Sequence, residues 1–296
     1  MDPKKLLDWG MEVIRKGAER KGARLRFVDV GPLRMHFFEV PGKVVGGPTV
    51  VLIHGLGGSS VGYWRVMFRL ASHAGRVVVP DFPGSGFSPL PASGPLGFAE
   101  VMDVLDKFTD LVVPERAIYL GNSLGGAMAA RFAARNPKKV SGLVLVSPAG
   151  GRVESHRMQE LLDGFQVQTQ QEARALSRRF FSRPPLVLPF LMGPTLLPLM
   201  ARPSVRKLLE EAIRVSALED SELEGMEPPV LLLWAKNERV LPYEGLEHWR
   251  AHLPKTAQIE EVEDFGHSPQ LDRPKELVEW IARFARERVG ASNSAA

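Results

Sequence analysis

A serine, a histidine and a carboxylate stand in this chain where acyl-transfer chemistry would need them. Ser123 lies in Tyr119-Leu120-Gly121-Asn122-Ser123-Leu124-Gly125-Gly126, at the join of two segments. Ala117 to Leu120 is an apolar run of strand type, and downstream Leu124, Met128 and Phe132 recur at helical spacing. A serine forced onto so sharp a strand-to-helix turn needs neighbours without bulk, and Gly121 and Gly125 stand two residues to either side. A lone glycine-rich turn capped by serine is common; strand before and helix after make Ser123 a candidate nucleophile. Its hydroxyl is weak at neutral pH and needs a neighbouring base, usually a histidine held in one tautomer by a carboxylate. His267 lies in a Gly-His-Ser-Pro turn after the last strand candidate, and Glu238 in the loop after the preceding one. If the strands are parallel, all three loops open at the carboxyl edge of the sheet. The chemistry would be attack of Ser123 on a carbonyl, with His267 carrying the proton and Glu238 orienting the ring.

The elements that must position these residues follow from the hydrophobic pattern. Thr49 to Ile53, Arg76 to Val79, Gly142 to Ser147 and Pro229 to Trp234 are continuous apolar runs, as strands buried on both faces of a parallel sheet require. Ala257 to Val262 is the last strand candidate, and Arg24 to Val30 with Leu33 to Glu39 read as a hairpin about Gly31-Pro32. Helical periodicity falls at residues 3–20, 97–112, 246–251 and 274–288. Strand and helix runs alternate, which argues for a parallel α/β sheet with helices on both faces. The glycine-rich loop His54-Gly55-Leu56-Gly57-Gly58-Ser59 closes one strand and leaves backbone N–H groups free to face an anion. The loop Pro80 to Ser88, dense in turn residues, is expected to border the site.

The rhythm breaks between residues 149 and 227, where helical patterns and loops occur with no strand candidate. The expected organisation is a core of residues 1–148 and 228–290, an inserted helical cap at 149–227 and a disordered tail at 291–296. Within the core, residues 1–20 form an amphipathic N-terminal helix. The cap carries Arg152, Arg157, Arg174, Arg178, Arg179 and Arg183. It also carries the proline-broken apolar stretches Pro184 to Met192 and Leu196 to Met200, which are expected not to form one long helix. Leu186, Phe190 and Met192 are candidates for an apolar pocket wall against an acyl or aryl group.

Five motifs in register give the chain a family resemblance. They are His54-Gly55-Leu56-Gly57-Gly58, Asp81-Phe82-Pro83-Gly84-Ser85-Gly86, Gly121-Asn122-Ser123-Leu124-Gly125-Gly126, Trp234 through Pro242, and Gly266-His267-Ser268. With the order nucleophile, acid, histidine, the chain resembles the α/β-hydrolase superfamily over residues 25–288. It is most similar to the cap-bearing branch of esterases, monoacylglycerol lipases and C–C bond hydrolases. The resemblance implies an α/β-hydrolase fold, a Ser123–His267–Glu238 triad and an oxyanion hole from the backbone N–H groups of Leu56 and Leu124, with His54 holding its loop. It implies no cofactor and no metal. One position departs from the pattern: Glu238 stands where the acid loop usually has aspartate, which leaves Asp264 and Asp272 as alternative acids.

Composition excludes other classes. With 296 residues, 44% hydrophobic and 24% charged, the chain is of ordinary globular make-up. Its 34 acidic residues are mixed among 38 basic ones without a long basic block, so a nucleic-acid partner is not implied by the net charge of +4. The absence of cysteine removes disulfides and thiol nucleophiles. No apolar run approaches the ~20 residues of a membrane span, and the N-terminus lacks a signal-peptide pattern, so a cytoplasmic protein is expected. Contact of the N-terminal helix with a membrane surface is the disfavoured alternative to packing on the domain, because its apolar face is short. His36, His73, His156, His248 and His252 show no metal spacing with a partner motif and read as surface or packing residues. The expected reaction is hydrolysis of a small-molecule carboxylic ester of short to medium acyl chain, or of a monoglyceride. The rivals are a C–C hydrolase of dienoic acids, suggested by Gly-Asn-Ser-x-Gly-Gly and the cap arginines, and a non-catalytic binding scaffold.

Overall fold

The fold rests on one mostly parallel sheet, which a computed structural model of the chain describes over residues 3–184, 188–215 and 217–289. The N-terminal helix α1 (Pro3–Arg20) precedes strands β1 (Arg24–Val30), β2 (Leu33–Pro41) and β3 (Thr49–Ile53). After α2 (Trp64–Leu70) come β4 (Arg76–Pro80), α3 (Phe98–Val112), β5 (Ala117–Ser123), α4 (Leu124–Arg135) and β6 (Val140–Pro148). The eight strands lie in the order β1-β2-β4-β3-β5-β6, followed by β7 (Val230–Ala235) and β8 (Gln258–Val262). β1 to β2 and β2 to β4 pair antiparallel; every other neighbouring pair is parallel. The hairpin about Gly31-Pro32 puts Val30 opposite Leu33.

The central strands β3, β5, β6 and β7 are buried almost throughout, which is why their sequences run apolar rather than alternating. One face packs against α3 and α4 through Phe108, Met128 and Phe132; the other packs against α2 and the last helix, α12 (Pro274–Phe284), through Val66, Met67, Leu277 and Ile281. Two burial layers around a sheet of five or more strands leave the strand ends as the natural place for a ligand.

Between β6 and β7 five helices are inserted among the described residues: α5 (Ser155–Phe165), α6 (Gln170–Arg179), α7 (Leu188–Met200), α8 (Pro203–Val215) and α9 (Asp220–Glu224). No strand is present there among the described residues. Phe165, Leu176, Leu196, Met200 and Val205 give this insertion a small core of its own. The remaining helices, α10 (Tyr243–His252) and α11 (Pro269–Asp272), follow β7 and β8.

One expectation is corrected. The proline-broken stretch does form a helix, because α7 runs from Leu188 to Met200 with Pro194 and Pro198 inside it. Each internal proline removes a backbone donor, at a cost of about 3 kcal/mol in an ordinary helix interior. Burial of Leu196 and Met200 in the insertion core, and packing of α1 on α7, supply the tertiary contacts that override the local preference. Leu186 and the tail at 291–296 lie outside the described residues.

Candidate active site

Ser123 ends β5 and opens α4 with φ 56° and ψ −125°, a backbone conformation a non-glycine residue adopts only when its surroundings enforce it. The enforcement is visible in the neighbouring glycines. A Cβ on Gly121 would lie 2.0 Å from the Gly125 carbonyl oxygen, and one on Gly125 would lie 2.4 Å from the Ile53 carbonyl oxygen. The turn can therefore be this sharp only with hydrogen at both positions.

Asn122, the variable residue of the motif, ties the turn to the histidine loop. Its amide donates to the Val146 carbonyl at 3.0 Å and to the His267 carbonyl at 2.8 Å, and its oxygen accepts from Gln270 Nε2 at 2.9 Å. Asn122 and Gln270 are both buried, so this network fixes the spacing between the Ser123 and His267 backbones. The sequence offered Asn122 only as a member of the serine motif, and Gln270 not at all.

His267 is buried, and its Nδ1 lies 3.0 and 2.9 Å from the two carboxylate oxygens of Glu238. Glu238 Oε1 also accepts from the amides of Val240 at 2.7 Å and Leu241 at 3.1 Å. Burial works to raise the Glu238 carboxyl, but the His267 ring, its hydrogen bond and those two amides outweigh it and hold the carboxyl below its usual range. The alternative acids lie elsewhere. Asp264 is exposed and sits 3.5 Å from Arg183, while Asp272 accepts from the Ser182 amide at 3.1 Å. Phe180 of the insertion faces the His267 ring with centroids 6.0 Å apart, and its carbonyl accepts from the Ser268 amide at 2.9 Å.

The loop after β3 passes close to the Ser123 turn: a Cβ on Gly55 would lie 2.9 Å from the Asn122 carbonyl oxygen and 3.2 Å from Ser123 Cβ. This brings Leu56 beside Leu124, and both line one cavity with Ser123. His54 holds the loop: its Nδ1 donates to the Gly55 carbonyl at 2.9 Å, and its Nε2 accepts from the Phe82 amide at 3.4 Å. Burial pushes the His54 imidazole below its ordinary value against the pull of Asp81, so the ring is neutral in that role. Asp81 anchors the adjoining loop, accepting from Ser60 N at 2.6 Å, Ser60 Oγ at 3.0 Å, Phe87 N at 3.0 Å and His36 Nδ1 at 2.7 Å. His36 is therefore a packing residue, completely buried, with the Phe27, Phe38 and Phe87 rings edge-on around it.

Two cavities meet at Ser123. The first is lined by Leu124, Pro148, Met158, Trp234 and Leu241, the second by His267, Phe180, Met192, Leu199 and Leu271; Leu56, Ser123 and Phe165 belong to both. Of the expected pocket-wall residues, Met192 lines the second cavity, whereas Phe190 is 54% exposed with the Arg174 guanidinium 4.7 Å over its ring. Among the described residues neither cavity is lined by a lysine or arginine.

The fold is that of an α/β hydrolase, and the chain belongs to that family: residues 48–274 match the family described as alpha/beta hydrolase fold. Among individual proteins, it is 25% identical over 253 residues to Lipase 1 of Psychrobacter immobilis, covering 82% of this chain and 78% of the lipase. It is 24% identical over 252 residues to 2-hydroxy-6-oxo-2,4-heptadienoate hydrolase of Pseudomonas putida, covering 80% and 89%. A crystal structure of a membrane phospholipase A, described as a bacterial virulence factor, superposes with a TM-score of 0.80 at 28% identity, over 96% of this chain and 93% of that one. Among the described residues no helix is long and apolar enough to cross a membrane.

Proposed function

We propose that the chain is a serine hydrolase of carboxylic esters with short to medium apolar acyl chains or a monoglyceride-like form, acting through an acyl-enzyme on Ser123. His267 accepts the serine proton and returns it to the leaving alcohol, Glu238 fixes the ring, and the amides of Leu56 and Leu124 receive the oxyanion. The observation that carries this reading is the double approach of His267 Nδ1 to Glu238, at 3.0 and 2.9 Å, beside a cavity lined by both His267 and Ser123. With Nδ1–H directed at the carboxylate, Nε2 is the nitrogen left to act as base. In this reading the helical insertion is a cap over the site.

The two cavities divide an ester between them. The leaving oxygen must take its proton from His267, so the alcohol occupies the cavity that His267 lines. The acyl chain then occupies the other, between Leu124, Met158, Trp234 and Leu241. The rival C–C hydrolase reading needs a cation for the substrate carboxylate, yet among the described residues no lysine or arginine lines either cavity, and four of the insertion arginines are engaged elsewhere. Arg152 pairs with Glu219 and Asp220, Arg157 with Glu160 and Glu244, and Arg183 with Asp264, while Arg179 donates to the Arg239 and Val240 carbonyls. The apolar cavities favour esters.

The test is a p-nitrophenyl ester series from acetate to palmitate, run beside Ser123→Ala and a dienoic ring-cleavage acid. Hydrolysis peaking at short or medium chains and lost by roughly 10⁴-fold or more in Ser123→Ala is expected. Turnover of the dienoic acid with silence on every ester would give the site to C–C cleavage. Silence on both, with no labelling of Ser123 by a fluorophosphonate, would leave a binding scaffold.

A further inference from the structure

Outside the three loops that carry Ser123, Glu238 and His267, α9 and α10 bring together three side chains that the proposed hydrolysis does not use. His248 and His252 stand four residues apart on α10 and so share one face of it, the spacing at which a helix offers two imidazoles to one ion. Asp220 opens α9, and its Oδ1 lies 3.1 Å from His248 Nε2 and 3.8 Å from His252 Nε2. The three ligand atoms all lie within 4.8 Å of one another. Ligand atoms about 2.0–2.1 Å from a tetrahedral zinc ion sit roughly 3.3–3.4 Å apart, so the two distances straddle what such an ion requires. We propose that Asp220, His248 and His252 form a binding site for one divalent transition-metal ion of the zinc type, which clamps α9 to α10.

The surrounding contacts are those that orient metal ligands. His252 turns its other nitrogen, Nδ1, to Glu224 Oε1 at 3.0 Å, the carboxylate–histidine arrangement that fixes which nitrogen faces a metal. Arg152 Nη1 holds Asp220 Oδ2 at 3.2 Å and leaves Oδ1 turned to the two rings. His248 is largely buried and His252 and Asp220 are partly exposed, so solvent can supply a fourth ligand. The set of two imidazoles and one carboxylate suits zinc, cobalt or nickel and not magnesium or calcium, which prefer oxygen alone. The bland reading is an ion-pair network of the same residues, and it makes a different prediction: removing metal changes nothing.

The site is also placed to matter. The segment Ala217–Leu218 leads into α9, and the Leu218 amide donates to the Gly150 carbonyl at 3.2 Å. Ala217 and Gly150, with Gly245 of α10, line the cavity assigned above to the acyl chain. An ion joining α9 to α10 therefore pins the floor of that cavity where the helical insertion returns to the sheet. The metal site does not depend on the ester reading, and its test has no enzymatic step.

The full chain, stripped with a chelator and exchanged into metal-free buffer, is titrated with zinc by calorimetry and with cobalt(II) by visible absorption. One equivalent of zinc is expected, with the intense bands of four-coordinate cobalt and a melting temperature that rises with zinc concentration. Loss of even an outer hydrogen-bonding partner costs a metal site about 10–100-fold in affinity, so His252→Ala and Asp220→Asn should each weaken binding at least about tenfold. Both should also move the zinc-dependent rise in melting temperature to at least about tenfold higher zinc while the metal-free proteins melt as one cooperative unit. His73→Ala, at an exposed histidine, should change nothing. Binding unchanged in Asp220→Asn would reduce the site to a bare pair of helical imidazoles and overturn the proposal. No saturable binding, or binding lost equally in His73→Ala, would also overturn it.

Discussion

At the scale of single residues, the site depends on how Glu238 and Asn122 constrain His267. Glu238→Gln keeps the shape but loses the charge that holds one tautomer, and kcat is expected to fall by roughly 10³–10⁴-fold with KM within a few-fold. Its effect on stability has a definite sign. The folded Glu238 carboxyl lies below its usual value, so it contributes stability that is present above the unfolded value near 4.3 and is lost as the pH falls through the depressed folded value. Melting temperature followed from pH 7 to pH 3 should therefore show a shallower acid limb in Glu238→Gln than in the parent; identical limbs would contradict the depressed carboxyl. Asn122→Ala removes donors to two buried carbonyls, at a stability cost of about 1–3 kcal/mol for each group left unpaired. Because it releases the His267 backbone, kcat should fall while KM stays close to the parent's, although Asn122 also lines the cavity assigned to the alcohol. Equal loss in both parameters would make Asn122 a substrate contact instead. Ser123, Glu238 and His267 were singled out in the sequence because each carries a reactive group in a turn after a strand, and the fold sets Glu238 against His267. Asn122 and Gln270 were not, because their partner is 148 residues away and an amide has no distinctive spacing.

At the scale of elements, the eight strands and the strand-free helical insertion between β6 and β7 were legible, but the course of the helices inside the insertion was not. Buried parallel strands announce themselves as short apolar runs, and each observed strand begins or ends within a residue or two of such a run. The exception is β5, which runs on to Ser123, and the extension is the Ser123 turn itself, where pairing of Asn122 with Val146 continues the ladder. In the insertion the local signals conflict, and α7 is the clearest case. Two internal prolines argue against a helix, yet burial of Leu196 and Met200 imposes one, and that burial depends on α6, α8 and α1, which no local pattern reveals. If tertiary packing holds α7 against its prolines, replacing one should be stabilising. Pro198→Ala restores a backbone donor in a partly buried turn, and a rise of a few degrees in melting temperature is expected. A fall would mean that the proline ring itself is a packing group. The opposite sign is expected at the catalytic turn: Gly125→Ala would set a Cβ 2.4 Å from the Ile53 carbonyl oxygen and should yield little folded protein.

At the scale of the whole molecule, the proposed site lies on the seam between two hydrophobic cores. Leu56 and Leu241 pack against both the main core beneath the sheet and the small core of the insertion, and both line the cavity at Ser123. Two cores built from different parts of the chain cannot interdigitate everywhere, and the gap left between them is the space a substrate can use. Specificity should then be written in residues of the insertion that face this seam, and separately for the two ends of an ester. Met158 on α5 lines only the cavity assigned to the acyl chain, whereas Leu199 on α7 lines only the one assigned to the alcohol. Each methylene denied burial costs about 0.8 kcal/mol, or roughly fourfold in kcat/KM. Met158→Trp, by filling the space of about two methylenes, should therefore lower kcat/KM for p-nitrophenyl octanoate by roughly fifteenfold and leave the acetate near the parent rate. Leu199→Trp should do the reverse, sparing the chain-length profile while penalising acetates of bulky alcohols relative to methyl acetate. If Leu199→Trp instead shortened the preferred acyl chain, the two ends of the ester would be exchanged. His267 would then have to reach a leaving group in a cavity it does not line, which only a movement of the insertion relative to the sheet could allow.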